Sequence, residues 1–128
     1  QIAIQVTEID VTRGGNLIVF IFGKDGFPKK HNKALSLQTA PVNTREMTFH
    51  FDVNEDEVAV KILHDENQDG KVTKNWTGIF PKEGLGFSNN RKIGFTGPPS
   101  FNKARVTSEQ FSQLAPIKIR YPRKRKSK

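Results

Sequence analysis

Four separate stretches of this chain alternate apolar and polar residues with a period of two, and no other feature limits the fold as much. Ile2, Ile4 and Val6 alternate with Ala3, Gln5 and Thr7, and Met47, Phe49, Phe51 and Val53 alternate with Thr48, His50 and Asp52. Val58, Val60 and Ile62, ending on His64, make a third set, and Ile117, Ile119 and Tyr121 alternate with Lys118 and Arg120. Successive side chains on a strand leave opposite faces, so each stretch predicts a strand with one buried face. Leu17 to Phe22 is a continuous apolar run, the pattern of a central strand buried on both faces. Leu35, Leu37 and Thr39 alternate toward Pro41, which suits an edge strand.

Punctuation supports the same reading. Arg13-Gly14-Gly15-Asn16 and Asn54-Glu55-Asp56-Glu57 are turn signals, and residues 23–34, GKDGFPKKHNKA, predict a loop or a short helical turn. Ala104 to Thr107 suits a further short strand, and Ser108 to Leu114 a short helical turn. The expectation is an all-β chain: one antiparallel β-sandwich domain over residues 1–122, with Ile2, Ile4, Val6, Phe49, Phe51, Val60, Ile62, Ile117 and Ile119 facing its core. At 128 residues such a domain buries a core without metal or disulfide support.

Charge is unevenly distributed. Residues 118–128 hold seven of the 21 basic residues and none of the 13 acids, which leaves a body of 14 basic against 13 acidic residues. The formal charge of +8 therefore belongs to the C-terminal end. Residues 123–128, RKRKSK, read as a solvated, disordered basic tail, with contact to anionic surfaces as the role open to it and no specific nucleic-acid recognition. The chain has no cysteine, which excludes disulfides, thiolate metal sites and thiol catalysis. No apolar run is long enough to form a transmembrane helix. Residue 1 is Gln rather than Met, and the expectation is that a signal peptide has been removed.

Residues 64–101, HDENQDGKVTKNWTGIFPKEGLGFSNNRKIGFTGPPSF, carry neither period. So long an irregular segment in a compact domain is either functional or disordered. Trp76, Phe80, Phe87, Phe95 and Phe101 favour a folded loop carrying whatever site the protein has. Asp65-Glu66-Asn67-Gln68-Asp69-Gly70-Lys71 fits the start of a calcium loop, with Asp65, Asn67 and Asp69 as oxygen donors, the carbonyl of Lys71 and Thr73 completing the series. The twelfth position is Trp76 instead of a bidentate Glu, so Glu83 or Asp52 would have to complete the shell, and an Asx-rich turn is the alternative.

His64, Trp76, Glu83, Phe87, Ser88, Asn89 and Asn90 are the candidate ligand-binding residues. Trp76 offers a stacking face for a sugar ring, as in a carbohydrate-binding module, and loop packing explains it equally well. No catalytic residue is assigned. A hydrolase would need Ser88 or Ser100 beside His64 and a carboxylate such as Asp65 or Glu66, an arrangement that no spacing here establishes. Gly84-Leu85-Gly86-Phe87 lacks the strand and helix of a dinucleotide fingerprint.

Val60-Lys61-Ile62-Leu63-His64-Asp65-Glu66-Asn67, Asp69-Gly70-Lys71, Asn75, Gly78-Ile79, Glu83-Gly84-Leu85-Gly86-Phe87-Ser88-Asn89-Asn90, Gly97-Pro98-Pro99-Ser100-Phe101 and Ala104 together resemble a bacterial family known as domain of unknown function 2141. Residues 23–35 also fit its pattern, so the likeness covers nearly the whole chain except the tail. The resemblance implies an exported bacterial protein, periplasmic or secreted, with a sandwich similar to immunoglobulin or transthyretin-like folds. It implies no established activity and no catalytic residues. The DENQDGK segment is also similar to calcium loops of bacterial surface B-type repeats. The functional expectation is a non-catalytic binding or structural module of the cell envelope. It would use the 64–101 loop, be stabilised by calcium, and engage an envelope component or polysaccharide.

Overall fold

A computed structural model of the chain describes residues 1–65, 84–91 and 97–121. Eight strands are present among them: β1 (Ile2–Thr7), β2 (Asn16–Phe22), β3 (Ser36–Pro41), β4 (Met47–Phe51), β5 (Glu57–Asp65), β6 (Leu85–Phe87), β7 (Val106–Thr107) and β8 (Ile117–Lys118). The one α-helix described, α1 (Phe101–Ala104), is a single turn whose first amide region is capped by the Ser100 hydroxyl.

The strands form a three-stranded sheet in the order β4-β1-β8 and a five-stranded sheet in which β3-β2-β5-β6 run side by side and β7 also pairs with β5. The alternating sets fall where the period placed them. Ile2, Ile4 and Val6 on β1, Phe49 and Phe51 on β4, and Ile117 and Ile119 near the C-terminus share one buried cluster with Leu17, Val19, Ile21, Val58, Val60 and Ile62 of the larger sheet. Each sheet thus contributes one apolar face to a common interior.

β2 is buried along its length because it has two apolar faces. Ile18, Phe20 and Phe22 leave the far side of the larger sheet and form a second cluster with Leu63, Leu85 and Phe87. The 23–34 segment covers part of this side, with Phe27 and Ala34 packed against the cluster. The Phe27 ring meets Phe22, Phe87 and Phe101 edge-on at centroid distances of 5.6, 6.0 and 6.3 Å.

Two sequence expectations are corrected. The sheets are not wholly antiparallel, because β8 runs parallel to β1, pairing Val6 with Ile117 and Thr7 with Lys118. The last strand reaches β1 through the long connection after β6, and a connection of that length can deliver it in either direction. Among the described residues of 64–101, Leu85–Phe87 form a strand that the sequence did not signal. His64 and Asp65 belong to β5, and β6 pairs with β5 from Lys61↔Phe87 to Leu63↔Leu85. A strand of three residues with glycine at its centre displays no period. At the β3 edge, Leu35 and Leu37 face outward, 46% and 50% exposed, while Ser36, Gln38 and Ala40 are partly buried.

The two sheets are also tied at their margins. The Gln38 amide donates to the His50 carbonyl at 2.6 Å, linking β3 to β4. On the other side, the C-terminal segment serves both sheets: Ile119 N–H donates to Thr7 O, and Arg120 bridges Leu85 through a reciprocal pair of backbone bonds.

Candidate functional site

Ser88, Asn89 and Asn90 follow β6 directly in a short 3-10 turn. Along β5, β6 pairs with residues 61–63 and β7 with 57–58, which leaves the Val60 N–H without a strand partner between them. Ser88 fills that gap. Its hydroxyl oxygen accepts from Val60 N–H at 2.9 Å and donates to the Ala104 carbonyl, and the residue is 1% exposed. A buried backbone N–H left unbonded would be costly. Ser88 is therefore a hydroxyl substituted for a missing rung of the ladder.

The asparagines extend the same work. Asn89 donates from Nδ2 to the carbonyls of Lys103 and Arg105, both at 3.0 Å. Asn90 donates to the Pro116 carbonyl at 3.0 Å and accepts from Lys118 N–H at 2.9 Å. Both adopt positive φ, 61° and 53°, a region that asparagine tolerates better than most residues. Three consecutive side chains thus clasp β5, the α1–β7 segment and β8.

The glycines of Gly84-Leu85-Gly86-Phe87 belong to this clasp. A Cβ on Gly84 would stand 2.5 Å from the Tyr121 ring and 2.8 Å from Ile119, and one on Gly86 would meet Ile117 and the Lys118 carbonyl at 3.0 Å. Their absence of side chains lets the last strand lie against β6. Leu85 and Phe87 point away into the second cluster, 6% and 1% exposed.

His64 is fully buried near the end of β5. Its Nε2 lies 2.6 Å from the Gly14 carbonyl and its Nδ1 2.8 Å from the Tyr121 hydroxyl. A carbonyl only accepts, so Nε2 carries the hydrogen and Tyr121 donates to Nδ1. The Tyr121 oxygen accepts in turn from Asp10 N–H at 2.8 Å. Arg13 lies over the Tyr121 ring at 4.4 Å and pairs with Asp10 at 3.1 Å. The Asp10 carboxyl is held below its ordinary range, first by the Thr12 hydroxyl, with partial burial opposing and Arg13 assisting. Asp65, next to His64, is also fully buried.

A second polar cluster lies on the far side of the five-stranded sheet. Lys61 is 0% exposed, and its ammonium donates to the Pro28 carbonyl at 3.0 Å and to His31 Nε2 at 2.8 Å. The His31 ring stacks on Phe20 with centroids 4.2 Å apart. Burial first, and the Lys61 charge second, push the His31 pKa down to about 4. The sequence signal for this cluster was a lysine in the middle of Val58 to Leu63, a cation inside an otherwise apolar strand. Tyr121 carried no comparable signal, since it alternates like any core residue.

The structure therefore does not bring His64 and Ser88 together as a nucleophile and base. Both His64 ring nitrogens and the Ser88 hydroxyl are engaged elsewhere. Val60, to which Ser88 is bonded, is four residues from His64 along β5, about 13 Å at the usual strand rise. Asn67, Asp69, Lys71, Thr73, Trp76 and Glu83 lie outside the described residues. Among the described residues, no group of three or more His, Asp or Glu side chains is placed to hold a metal.

The model of the family described as an uncharacterised protein conserved in bacteria (DUF2141) matches residues 4–114, and the chain belongs to that family. No curated protein and no solved structure matches the chain.

Proposed function

We propose that this bacterial chain is a non-catalytic binding or structural module of the cell envelope, exported to the periplasm or secreted. In this reading its two sheets form an immunoglobulin- or transthyretin-like sandwich that presents the segment following Asp65 to a partner such as an envelope polysaccharide. The observation that supports it is the engagement of both His64 nitrogens by Gly14 and Tyr121, and of the Ser88 hydroxyl by Val60 and Ala104. Groups that would carry hydrolysis instead hold the sheets and the C-terminal strand in place. A rigid frame with irregular chain at its end is the usual platform for recognition.

Calcium belongs to the same proposal. The D-x-N-x-D-G pattern starts at Asp65, a carboxylate at the buried end of a rigid strand. An ion there would tie the following segment to β5. Titration with calcium chloride should raise the melting temperature, and Asp69→Asn should remove the rise. An unchanged melting temperature at millimolar calcium would dismiss the metal. For the module itself, ester, peptide and glycoside substrates should turn over no faster than in buffer. Turnover abolished by His64→Gln in a variant that still folds would overturn the non-catalytic reading.

A further inference from the structure

We propose that the face around Asn89, Asn90 and Arg91 is a docking surface for anionic phospholipid headgroups. The clasp that closes the sheets also gathers cations. Arg91 donates from Nε to the Lys103 carbonyl at 3.1 Å, Asn89 holds the carbonyls of Lys103 and Arg105, and Asn90 holds the Lys118 amide. Arg91, the Lys103–Arg105 pair and Lys118 thus come from three separate stretches of the sequence onto one region. Lys118 and Arg120 alternate with buried Ile117 and Ile119, so both leave the same, outward side of the last strand.

All five cations are exposed. Of these five, Arg105 alone is ion-paired among the described residues, to Glu57 at 3.6 Å. Asp56 and Glu109 are exposed near Arg105, one bonded through its backbone carbonyl to the Ser108 amide and the other in the neighbouring 3-10 turn, so with Glu57 three acids stand against the five cations. Among the described residues, Arg91, Lys103, Lys118 and Arg120 are exposed and take part in no ion pair. Five more cations, Arg123, Lys124, Arg125, Lys126 and Lys128, follow within a few residues of Arg120.

The chemistry of the face selects its partner. The asparagine amides are bonded to backbone, so directional recognition of a glycan is not on offer. The described residues of the patch include no exposed aromatic ring, as a nucleic-acid strand would use for stacking. What remains is an array of fixed positive charges. A fluid layer of phosphates rearranges beneath such an array without needing directional bonds, and each basic residue near it adds attraction. The inference goes beyond the module reading and does not depend on it.

The test uses the full-length chain and vesicles of phosphatidylcholine, with and without phosphatidylglycerol, read by sedimentation at low and high salt. The expected result is binding to the anionic vesicles alone, lost at high salt. In the variant Lys103→Gln/Lys118→Gln/Arg120→Gln, with the tail intact, affinity should fall by about tenfold or more at an unchanged melting temperature. Lys118→Gln alone, a single exposed change, should give a smaller fall in the same direction. Unchanged affinity in both variants would overturn the docking face and leave the tail acting by itself. Retention on heparin without vesicle binding would overturn the lipid assignment in favour of an acidic polysaccharide.

Discussion

The two faces of the five-stranded sheet are closed in different ways. The inner face presents Leu17, Val19, Ile21, Val58, Val60 and Ile62 to the smaller sheet, and most of what it meets lies on strands, with Ile9 and the 3-10 residue Phe111 filling in at the margin. The far face presents Ile18, Phe20, Phe22 and Leu63, together with Lys61, and the described chain that meets it includes the irregular 23–34 segment. One face is closed by repetition, the other by particular contacts: an edge-on ring at Phe27, a stacked imidazole at His31 and an ammonium bonded to the Pro28 carbonyl. A regular apolar face loses stability in proportion to the volume removed. A face closed by polar contacts depends on the state of a few groups, and so on pH.

The largest test of that contrast lies on the inner side. Phe51→Ala removes a ring that is 3% exposed between the sheets and should cost about 3–5 kcal/mol by chemical denaturation. A loss below about 1 kcal/mol would mean the two sheets do not share a packed interior. Next in size is Ser88→Ala, which removes the hydroxyl standing in for a strand partner of Val60. It should cost about 1–3 kcal/mol, because a buried N–H is left unbonded. Should Ser88→Ala prove harmless, the clasp would be an ornament of the fold and not one of its ties.

The polar face should then show itself in acid. The His31 pKa of about 4 in the folded chain lies below its ordinary 6.5, so between those values the unfolded chain binds more protons. Stability is complete above about pH 6.5 and falls toward pH 4. Discounted for the part exposure of the ring, the loss should be about 1–2 kcal/mol. His31→Gln should flatten the curve in that window while leaving the Asp10 contribution, which is lost at lower pH. Parallel curves for the two proteins would separate His31 from the Lys61 charge. The smallest expected effect is at the edge strand, where Leu37→Gln, at a half-exposed site, should change stability by no more than about 0.5 kcal/mol. A clear gain in solubility without a stability change would mark that edge as sticky.

The same contrast explains what was legible in the sequence. Ile2, Ile4, Val6, Phe49, Phe51, Val60, Ile62, Ile117 and Ile119 are all buried as their period required, since burial against a regular partner leaves a regular trace. Lys61 stood out as a cation in an apolar strand, but its pairing with His31, like that of Tyr121 with His64, left no trace, because each pair joins residues far apart in the chain. Leu85–Phe87 is a strand without a period, too short to alternate more than once. Ser88, Asn89 and Asn90 read as ligand-seeking polar residues, and the sequence alone does not distinguish an amide that faces a ligand from one that faces a neighbouring carbonyl. The parallel pairing of β1 and β8 was hidden for a related reason: alternation specifies which face is buried, not which way a strand runs.

That parallel pairing has a mechanical consequence. β1 runs from Ile2 to Thr7, and β8 lies beside its far end, running the same way. Tension applied at residue 1 and at residue 121 therefore pulls the two strands past each other along their length. The β1–β8 rungs, and the Ile119 to Thr7 bond beside them, are strained together and not peeled apart one at a time. A chain built this way withstands being stretched between two attachments better than a hairpin with the same number of bonds would.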